Sequence, residues 1–331
     1  MMMEQTNGQP GKVLEVNDLR TFFYTKKGVV KAVDGVSFDV DRGEIVGLVG
    51  ESGCGKSITS LSIMRLVPQP AGRIVSGRIL FNGEDLQLKS EEDMRRLRGD
   101  RLSMILQDPM VSMNQILTVG YQLGEVFRYH DKTGNTLREK CIRILEKVKV
   151  PSPERRIDDY PFQFSGGMCQ RVLISMGIAN NPDLLIADEP TTALDVTIRA
   201  QILHLMREIC KESGTSIILI THDLATVAQI CTRVIVMYAG RIVEQAPVKA
   251  FYKTPCHPYT VCLIKSVPVL GRRTERLFSI GGTPPNLLHP PQGCRFEPRC
   301  SQALEICRSQ YPPEKEIAAG HRVSCWLYGQ D

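Results

Sequence analysis

Residues 50–57, with the sequence GESGCGKS, combine the residue types that bind a phosphate group. Glycines let the backbone curl so that successive N–H groups face one anion, and Lys56 brings a positive charge. The hydroxyl of Ser57 can ligate Mg²⁺ at such a site. The apolar run 44–49 before the loop predicts a buried strand, and a helix is predicted from residue 56 to about 66. Strand, loop and helix together predict a phosphate-binding loop.

Residues 52–58 are the predicted phosphate contacts of this loop. Cys54 lies inside it, at a helix N-terminus and beside Lys56, and both features favour a thiolate. We therefore expect alkylation of Cys54 to block nucleotide binding, whereas in normal function it is a passive small residue. The predicted contacts are Ser52, Gly53, Cys54, Gly55, Lys56, Ser57 and Ile58.

Residues 184–190 (LLIADEP) form an apolar strand that ends in two carboxylates. Asp188 at the strand end is placed to hold a Mg²⁺ ion. Glu189 is placed to orient and polarise an attacking water molecule. Two solvated acids at a strand end are the simpler alternative, but the phosphate loop favours the chemical interpretation.

Two further motifs carry polar groups that bind phosphate. Ser165, Gly166 and Gly167 precede a helix predicted to begin near Met168, which makes a second anion site at a helix N-terminus. One nucleotide does not easily occupy both anion sites of one compact chain, so two chains packed head to tail would sandwich each nucleotide. His222, at the end of the strand 216–220, can hydrogen-bond a γ-phosphate or the attacking water.

The elements that position these motifs alternate between strand and helix as far as about residue 245, which predicts an α/β core with a parallel sheet. Residues 13–23 and 31–40 show the period-two patterning of a strand pair. Residues 112–160 are predicted to be mostly helical, most clearly at 137–148. The character of the sequence changes to a proline- and cysteine-rich tail beyond a boundary near residue 250.

The composition restricts the class of protein. The 331 residues carry a net charge of +5, too weak to argue for nucleic-acid binding. No stretch approaches the ~20 apolar residues that cross a bilayer. Residues 1–12 lack the apolar core of a secretion signal and are interpreted as a disordered leader, which predicts a cytoplasmic protein.

The order of these motifs resembles that of ABC-transporter ATPases over about residues 13–250. The resemblance implies an ABC-type P-loop NTPase: a RecA-like parallel-sheet core, an N-terminal antiparallel β subdomain and a helical signature subdomain at about 112–180. It implies ATP and Mg²⁺ as ligands. By motif, the implied site residues are Lys56 and Ser57 (Walker A), Gln107 (Q-loop; ligand of Mg²⁺ and water), Ser165, Gly166 and Gly167 (signature loop), Asp188 and Glu189 (Walker B and catalytic glutamate), Asp195 (D-loop) and His222 (switch histidine).

Two details refine the resemblance. The family's signature commonly reads LSGGQ, and here it is FSGGM, so Met168 lacks the amide that would hydrogen-bond a partner chain. An aromatic ring of the first strand pair is expected to stack on adenine. Phe23 is the predicted residue, with Phe22 and Tyr24 as alternatives.

The tail resembles that of oligopeptide and dipeptide importer ATPases, with nickel and glutathione importers as near relatives. The similarity lies in residues 256–268 (CHPYTVCLIKSVP), 281–285 (GGTPP) and 293–300 (GCRFEPRC). It implies a C-terminal peptide-transporter domain at 251–331 and peptide import as the function.

Four cysteines in this tail, with the spacing C-x5-C-x6-C-x17-C, predict a metal site. Zinc ribbons prefer paired C-x2–4-C knuckles, and the wider spacing here favours a cuboidal iron–sulfur cluster. The resemblance also implies [4Fe–4S], with Zn²⁺ as the alternative and a structural rather than a redox role. Disulfides or free thiols are the remaining alternatives. The predicted ligands are Cys294, Cys300, Cys307 and Cys325.

The resemblance implies a peripheral subunit at the cytoplasmic face of the cell membrane. Its expected partners are a second ABC ATPase subunit, a paralogue in a head-to-tail dimer, two transmembrane permease subunits, and an extracellular binding protein acting through them. An importer of another small solute such as nickel or glutathione is one alternative. An ABC ATPase without a membrane partner is another, but those proteins usually have two fused cores or a coiled-coil insertion. A non-enzymatic nucleotide-gated module would lack Asp188 or Glu189, and both are present.

Overall fold

The computed structural model describes residues 11–130, 137–192, 194–267 and 278–329. Residues 1–10 of the predicted leader lie outside this part of the chain. Two sheets are formed by the strands β1 Lys12–Thr25, β2 Gly28–Asp41, β3 Ile45–Val49, β4 Gly72–Phe81, β5 Glu84–Asp85, β6 Leu102–Ile105, β7 Leu184–Asp188, β8 Ser216–Thr221, β9 Arg233–Tyr238, β10 Arg241–Pro247, β11 Lys315–Ala318 and β12 His321–Val323.

The helices include one that follows the phosphate loop and a group between β6 and β7. Short 3₁₀ turns separate some of them. The helices are α1 Lys56–Ile63, α2 Glu91–Leu97, α3 Pro109–Ser112, α4 Val119–His130, α5 Leu137–Lys147, α6 Pro153–Arg156, α7 Gly166–Ile178, α8 Val196–Ser213, α9 Leu224–Ile230, α10 Val248–Lys253, α11 Pro258–Lys265 and α12 Ile306–Ser309. Among the described residues, no helix is both long enough and apolar enough to cross a membrane.

The larger sheet has a parallel centre. Its described strands have the order β11-β12-β10-β9-β3-β8-β7-β6, and β3 pairs in parallel with both β8 and β9. β7 pairs in parallel with β6 and β8. Because these strands point the same way, the loops that follow β3, β6, β7 and β8 meet at one edge, where ligands of open α/β sheets bind. The predicted α/β core is confirmed.

The two faces of this sheet pack against different layers, which explains why its strands are apolar throughout. On β3, Val46 and Leu48 face the same hydrophobic cluster as the smaller sheet, whereas Ile45 and Val49 face the cluster that contains the helices. The smaller sheet has the order β2-β1-β4-β5 and is antiparallel. This is the predicted antiparallel subdomain, with β1 and β2 longer than the sequence pattern indicated.

The helical region between β6 and β7 also follows the prediction, with one difference at the signature loop. α7 begins at Gly166 and not near Met168. The cause is a helix cap, because the hydroxyl oxygen of Ser165 accepts a hydrogen bond from the Met168 N–H at 3.3 Å.

The tail packs onto the ATPase core. β12 pairs antiparallel with β10 and therefore extends the larger sheet. Cys294, Phe296 and Cys307 are buried in the hydrophobic cluster that contains the helices. The tail therefore shares the hydrophobic core of the preceding residues. The domain boundary near residue 250 stays a prediction.

Candidate functional site

The phosphate loop between β3 and α1 has a backbone that only glycine tolerates at two positions. Gly50 has φ +152°, and a Cβ there would lie 2.2 Å from the carbonyl oxygen of Met237. Gly55 has φ +108°, and a Cβ there would lie 2.5 Å from the carbonyl oxygen of Ala32. Side chains at these positions would force the loop away from β9 and β2. The loop is therefore shaped by its neighbours as well as by its own sequence.

A cavity of about 200 Å³ lies over this loop. It brings together residues from the ends of β3, β6 and β7, as the parallel sheet predicts. Ala32 from β2 also lines it and was not predicted from the sequence. The lining residues are Ala32, Ser52, Gly53, Gly55, Lys56, Ser57, Ile58, Gln107 and Glu189.

Lys56 is held by the loop itself. Its side-chain ammonium donates to the carbonyl oxygens of Gly50 at 2.8 Å and Glu51 at 3.0 Å. The residue is only 6% exposed, yet it lines the cavity. The positive charge is thus oriented at the floor of the cavity by backbone carbonyls, in the position where phosphate oxygens would bind.

Ser57 and Asp188 meet beside the cavity, and their chemistry fits a Mg²⁺ ion. The Ser57 hydroxyl lies close enough to the Asp188 carboxylate to lower its pKa. Burial raises the pKa of Asp188, and the nearby Glu189 raises it further, although the Ser57 hydroxyl and Lys56 oppose this. A buried carboxylate next to a hydroxyl is the oxygen donor pair that Mg²⁺ prefers. A bound cation would also relieve the cost of burying the negative charge.

Glu189 is the centre of a hydrogen-bond network at the same edge. Gln107 Nε2 and Thr192 Oγ1 each donate to its Oε2 at 2.9 Å. Nδ1 of His222 lies 2.9 Å from its Oε1. The residue has φ +47°, a left-handed conformation that is unusual outside glycine, and strained backbone of this kind occurs at functional sites. Thr192 is a contact that the sequence analysis missed.

The charge of Glu189 is stabilised by this network. Burial alone raises the pKa of its carboxyl group, but the hydrogen bonds from His222 and Thr192 outweigh burial and lower the pKa. The carboxylate is therefore ionised at neutral pH, as a group that accepts a proton from water must be. Gln107, Glu189 and His222, three predicted residues from three different loops, are brought together.

Cys54 differs from its prediction. Its side chain is buried beneath the loop, 4% exposed, and is not part of the cavity lining. Burial raises the pKa of the thiol, and the opposing effect of Lys56 does not reverse this. The expectation of a favoured thiolate is therefore wrong, because the loss of hydration outweighs the neighbouring positive charge.

The remaining predicted ATP contacts lie outside this cavity. Phe23 lies in β1 against Gly72. Ser165 caps α7, and Gly166 and Gly167 begin that helix. Asp195 caps α8 by accepting from the Ile198 N–H at 3.0 Å. None of these residues lines the cavity over the phosphate loop, so their roles in nucleotide binding stay predictions.

Comparison with known families identifies two regions. Residues 33–192 match the family model for the ABC transporter, and residues 243–307 match the model for the C-terminal region of oligopeptide/dipeptide transporters. The chain is 48% identical over 98% of its length to a probable peptide ABC transporter ATP-binding protein of Sinorhizobium fredii, and covers 98% of it. It is 49% identical over 96% of its length to the dipeptide transport ATP-binding protein DppD of Bacillus subtilis, and covers 96% of it.

Solved structures share the fold. A dimeric, post-hydrolysis ATP-binding cassette, MJ0796 with ADP and phosphate, aligns with a TM-score of 0.64 at 22% identity. The alignment covers 71% of this chain and 98% of the cassette. CbiO1 of Clostridium perfringens, part of the ABC transporter complex cbiONQ, aligns with a TM-score of 0.62 at 26% identity, over 74% of this chain and 92% of that one. The predicted ABC-type fold is confirmed.

The iron–sulfur prediction for the tail is contradicted. The matched family model ends at residue 307, so Cys325 lies outside it, and the relatives are named for ATP binding and peptide transport alone. All four cysteines are free thiols in the structure. Zinc has no support either.

A different group of ligand atoms does lie close together. Within the described ranges, Glu244, Cys256 and His321 alone bring three such atoms within 4.8 Å of one another. The Glu244 carboxylate already accepts hydrogen bonds from His321 Nε2 and from the N–H groups of Cys256 and His257, at 2.8 to 2.9 Å. The trio is therefore a satisfied polar contact between β10, the segment that precedes α11, and β12.

Three lines of observation agree on the family. The parallel sheet gathers a lysine, a glutamine and a hydrogen-bonded glutamate around one cavity. The sequence matches both family models in the expected order. Relatives align over almost the whole chain. The chain belongs to the ATP-binding subunits of the ABC transporter family, in the branch that carries the oligopeptide/dipeptide transporter C-terminal region.

Proposed function

We propose that this protein hydrolyses ATP to power the uptake of dipeptides and oligopeptides through an ABC importer. The observation that carries the proposal is the network in which Gln107, Thr192 and His222 hold one carboxylate, Glu189, at the edge of the phosphate-loop cavity. The peptide assignment is supported by curated relatives at 47–49% identity that are named as peptide, dipeptide or oligopeptide transport proteins.

The residues divide the chemistry among them. Lys56 and the loop N–H groups neutralise phosphate charge, and Glu189 accepts a proton from the attacking water. His222 orients Glu189 and stabilises the transferring phosphoryl group. Ser57, Asp188 and Gln107 would hold Mg²⁺, which when bound supplies positive charge at the phosphates.

We infer that two ATPase subunits form the complete site. Ser165, Gly166 and Gly167 do not line the phosphate-loop cavity of their own chain, so a nucleotide there leaves them free to contact the nucleotide of a second subunit. In a head-to-tail pair with a paralogue, the signature loop of each subunit would contact the nucleotide bound at the phosphate loop of the other. The solved cassette MJ0796 is described as dimeric. Asp195 and the Phe23 region would then border the nucleotide from opposite sides.

The membrane partners follow from the same proposal. Two permease subunits would receive the movement of the ATPase pair, and an extracellular binding protein would deliver the solute to them. The subunit would sit peripherally on the cytoplasmic face of the membrane. No nucleic-acid partner is proposed, because the net charge of +5 is small for a chain of 331 residues.

Uptake by the reconstituted complex tests the proposal. Vesicles that contain this subunit, its paralogue, both permeases and the binding protein should accumulate a radiolabelled dipeptide when ATP is present on the subunit side. The matched complex with Glu189→Gln should bind ATP without accumulating peptide. Uptake of Ni²⁺ or glutathione in place of peptides would contradict the peptide assignment, and ATP-independent uptake would contradict the coupling.

A further inference from the structure

The tail contacts the phosphate loop at Glu51. The Arg299 guanidinium forms a two-point ion pair with this carboxylate, with Nη1 to Oε2 at 2.7 Å and Nη2 to Oε1 at 3.0 Å. Two parallel, charge-assisted hydrogen bonds of this kind are strong and fix orientation as well as distance. Arg299 and Glu51 are 248 residues apart in sequence, so the pair joins two distant parts of the chain.

Arg299 has little freedom to leave this position. Its side chain is 4% exposed. Its other hydrogen bonds go to Tyr238 Oη at 3.1 Å and to the carbonyl oxygens of Gly281 at 2.8 Å and Ile280 at 3.4 Å. The guanidinium is therefore oriented by the tail before it meets Glu51. Because a buried charge needs all these partners, a neutral substitute would not restore the arrangement.

A second tail residue holds the backbone at the same position. The Oη atom of Tyr259, on α11, accepts a hydrogen bond from the Glu51 N–H at 2.8 Å. Its ring is completely buried and packs on Tyr238 and Phe296, with centroid distances of 4.6 and 5.4 Å. This aromatic packing fixes the hydroxyl group, so the Glu51 peptide is tied to a rigid part of the fold.

The same residue orients the lysine of the loop. Lys56 Nζ donates to the carbonyl oxygen of Glu51 at 3.0 Å, while the tail holds the N–H and the carboxylate of that residue. A displacement of Glu51 would thus move a carbonyl that positions Lys56. The residue that the tail holds, Glu51, is therefore hydrogen-bonded directly to the lysine that would meet phosphate.

Arg295 provides a parallel link at the other end of the loop. Its guanidinium binds the Asp34 carboxylate and the Ala239 carbonyl, both in the interior. The next residue, Gly240, donates its N–H to the Cys54 carbonyl at 2.8 Å. The tail therefore supports the loop directly at Glu51 and through one intervening turn at Cys54.

We propose that Arg299 is a positioning residue for ATP, acting through Glu51, and that the tail thereby sets the affinity of the phosphate loop for nucleotide. The proposal rests on the proposed ATP binding at this loop. It assigns the C-terminal region a role in nucleotide affinity that is separate from any contact with transport partners. Tyr259 acts with Arg299 on the same residue.

The experiment measures Mg·ATP affinity of the full-length subunit and KM and kcat of the assembled complex. Arg299→Gln removes the charge. Arg299→Lys keeps the charge but cannot form the two-point ion pair with Glu51. Tyr259→Phe removes one hydroxyl group and keeps the ring. Arg308→Gln is the matched control, since Arg308 is a tail arginine whose side chain is 77% exposed and pairs with Glu297 rather than with Glu51.

Arg299→Gln should raise Kd and KM for ATP about tenfold, equivalent to about 1.4 kcal/mol, with kcat at saturating ATP changed less than about twofold. Arg299→Lys should recover only part of the loss, and Tyr259→Phe should raise Kd in the same direction. Arg308→Gln should match the wild type. A fall in kcat with unchanged KM would overturn the proposal, since it would place Arg299 in the chemical step.

A double variant separates action through Glu51 from a general effect on the fold. If Arg299 acts through Glu51, Arg299→Gln should add little to the Kd of Glu51→Gln, whereas additive effects would overturn the proposal. If Arg299→Gln does not fold, the double variant, which leaves no unpaired charge, and Tyr259→Phe decide the question. Wild-type affinity in both of them would overturn it. Failure of the wild-type chain to bind ATP would instead reject the proposed function.

Discussion

Nδ1 of His222 lies 2.9 Å from Oε1 of Glu189, so residues that directly follow two neighbouring strands, β7 and β8, are joined beside the phosphate loop. Gln107, which follows β6, reaches the other carboxylate oxygen. The carboxylate is thereby held from two sides, with its charge near the cavity.

Glu189→Gln should reduce ATP hydrolysis at least about 100-fold, because the amide keeps the shape of the side chain but cannot accept a proton from water. ATP binding should persist, and the ATP-bound dimer should accumulate. Steady-state phosphate release and size-exclusion chromatography with ATP measure both effects. Glu208→Gln, at an exposed pair on α8, is the control. Turnover at the wild-type rate would exclude Glu189 as the base.

His222→Ala should shift the acid limb of the ATPase pH profile to higher pH. His222 is one of the groups that lower the Glu189 pKa against the opposing effect of burial, so its removal lets that pKa rise. A higher pKa means that the carboxylate becomes protonated, and inactive as a base, at a higher pH. The profile of kcat/KM against pH is the measurement, with His204→Ala on α8 as control. An unshifted limb with reduced kcat would assign His222 to the phosphate alone.

Lys56→Ala should abolish stabilisation of the fold by Mg·ATP. A ligand at 100 times its Kd stabilises the native state by about 2.7 kcal/mol, and a protein that does not bind gains nothing. Thermal unfolding with and without Mg·ATP measures the gain. Lys149→Ala removes an exposed lysine that pairs with Glu208 and should retain the full gain. An equal gain in Lys56→Ala would remove this lysine from the binding site.

Asp188→Asn should remove most of the Mg²⁺ dependence of ATP binding, and in the wild type that dependence should weaken in mildly acidic solution. Burial raises the pKa of Asp188, so protons compete with Mg²⁺ for its carboxylate at a higher pH than for an ordinary aspartate. Mg²⁺ titrations at about pH 5 and about pH 8 with labelled nucleotide measure this. Asp158→Asn, at an exposed carboxylate paired with Arg138, should titrate like the wild type.

Cys54 should react slowly with maleimide at neutral pH, and faster as the pH rises, because burial raises the pKa of its thiol and limits access. Once it is modified, ATP binding should be lost, since a Cβ added at Gly50 would already approach its sulfur to 2.7 Å. Peptide mass mapping assigns the label, and Cys54→Ala should retain ATP binding after treatment. Normal ATP binding by protein fully labelled at Cys54 would contradict the steric argument.

Local sequence was enough to indicate which strand ends carry the polar residues that meet beside the phosphate loop. Lys56, Asp188 and His222 each follow an apolar run of strand length, and in a parallel sheet such residues meet at one edge. Glu189 follows Asp188 directly and lies at the same edge. Such local patterns depend on the periodicity of apolar residues and on the residue types that follow them, and both can be read directly from the sequence.

The tail and the loop show what the sequence could not provide. Cysteine spacing and the family resemblance predicted an iron–sulfur cluster for Cys294, Cys300, Cys307 and Cys325. The helix N-terminus and the neighbouring Lys56 predicted a favoured thiolate for Cys54. Burial decides the second question, because it raises the pKa of the Cys54 thiol, and burial depends on what packs over the residue. The motif order GESGCGKS, LLIADEP and ITHD determined the family and the phosphate chemistry. Only the tertiary structure placed Arg299 on Glu51, because a contact between residues 248 positions apart is set by packing and leaves no local pattern in the sequence.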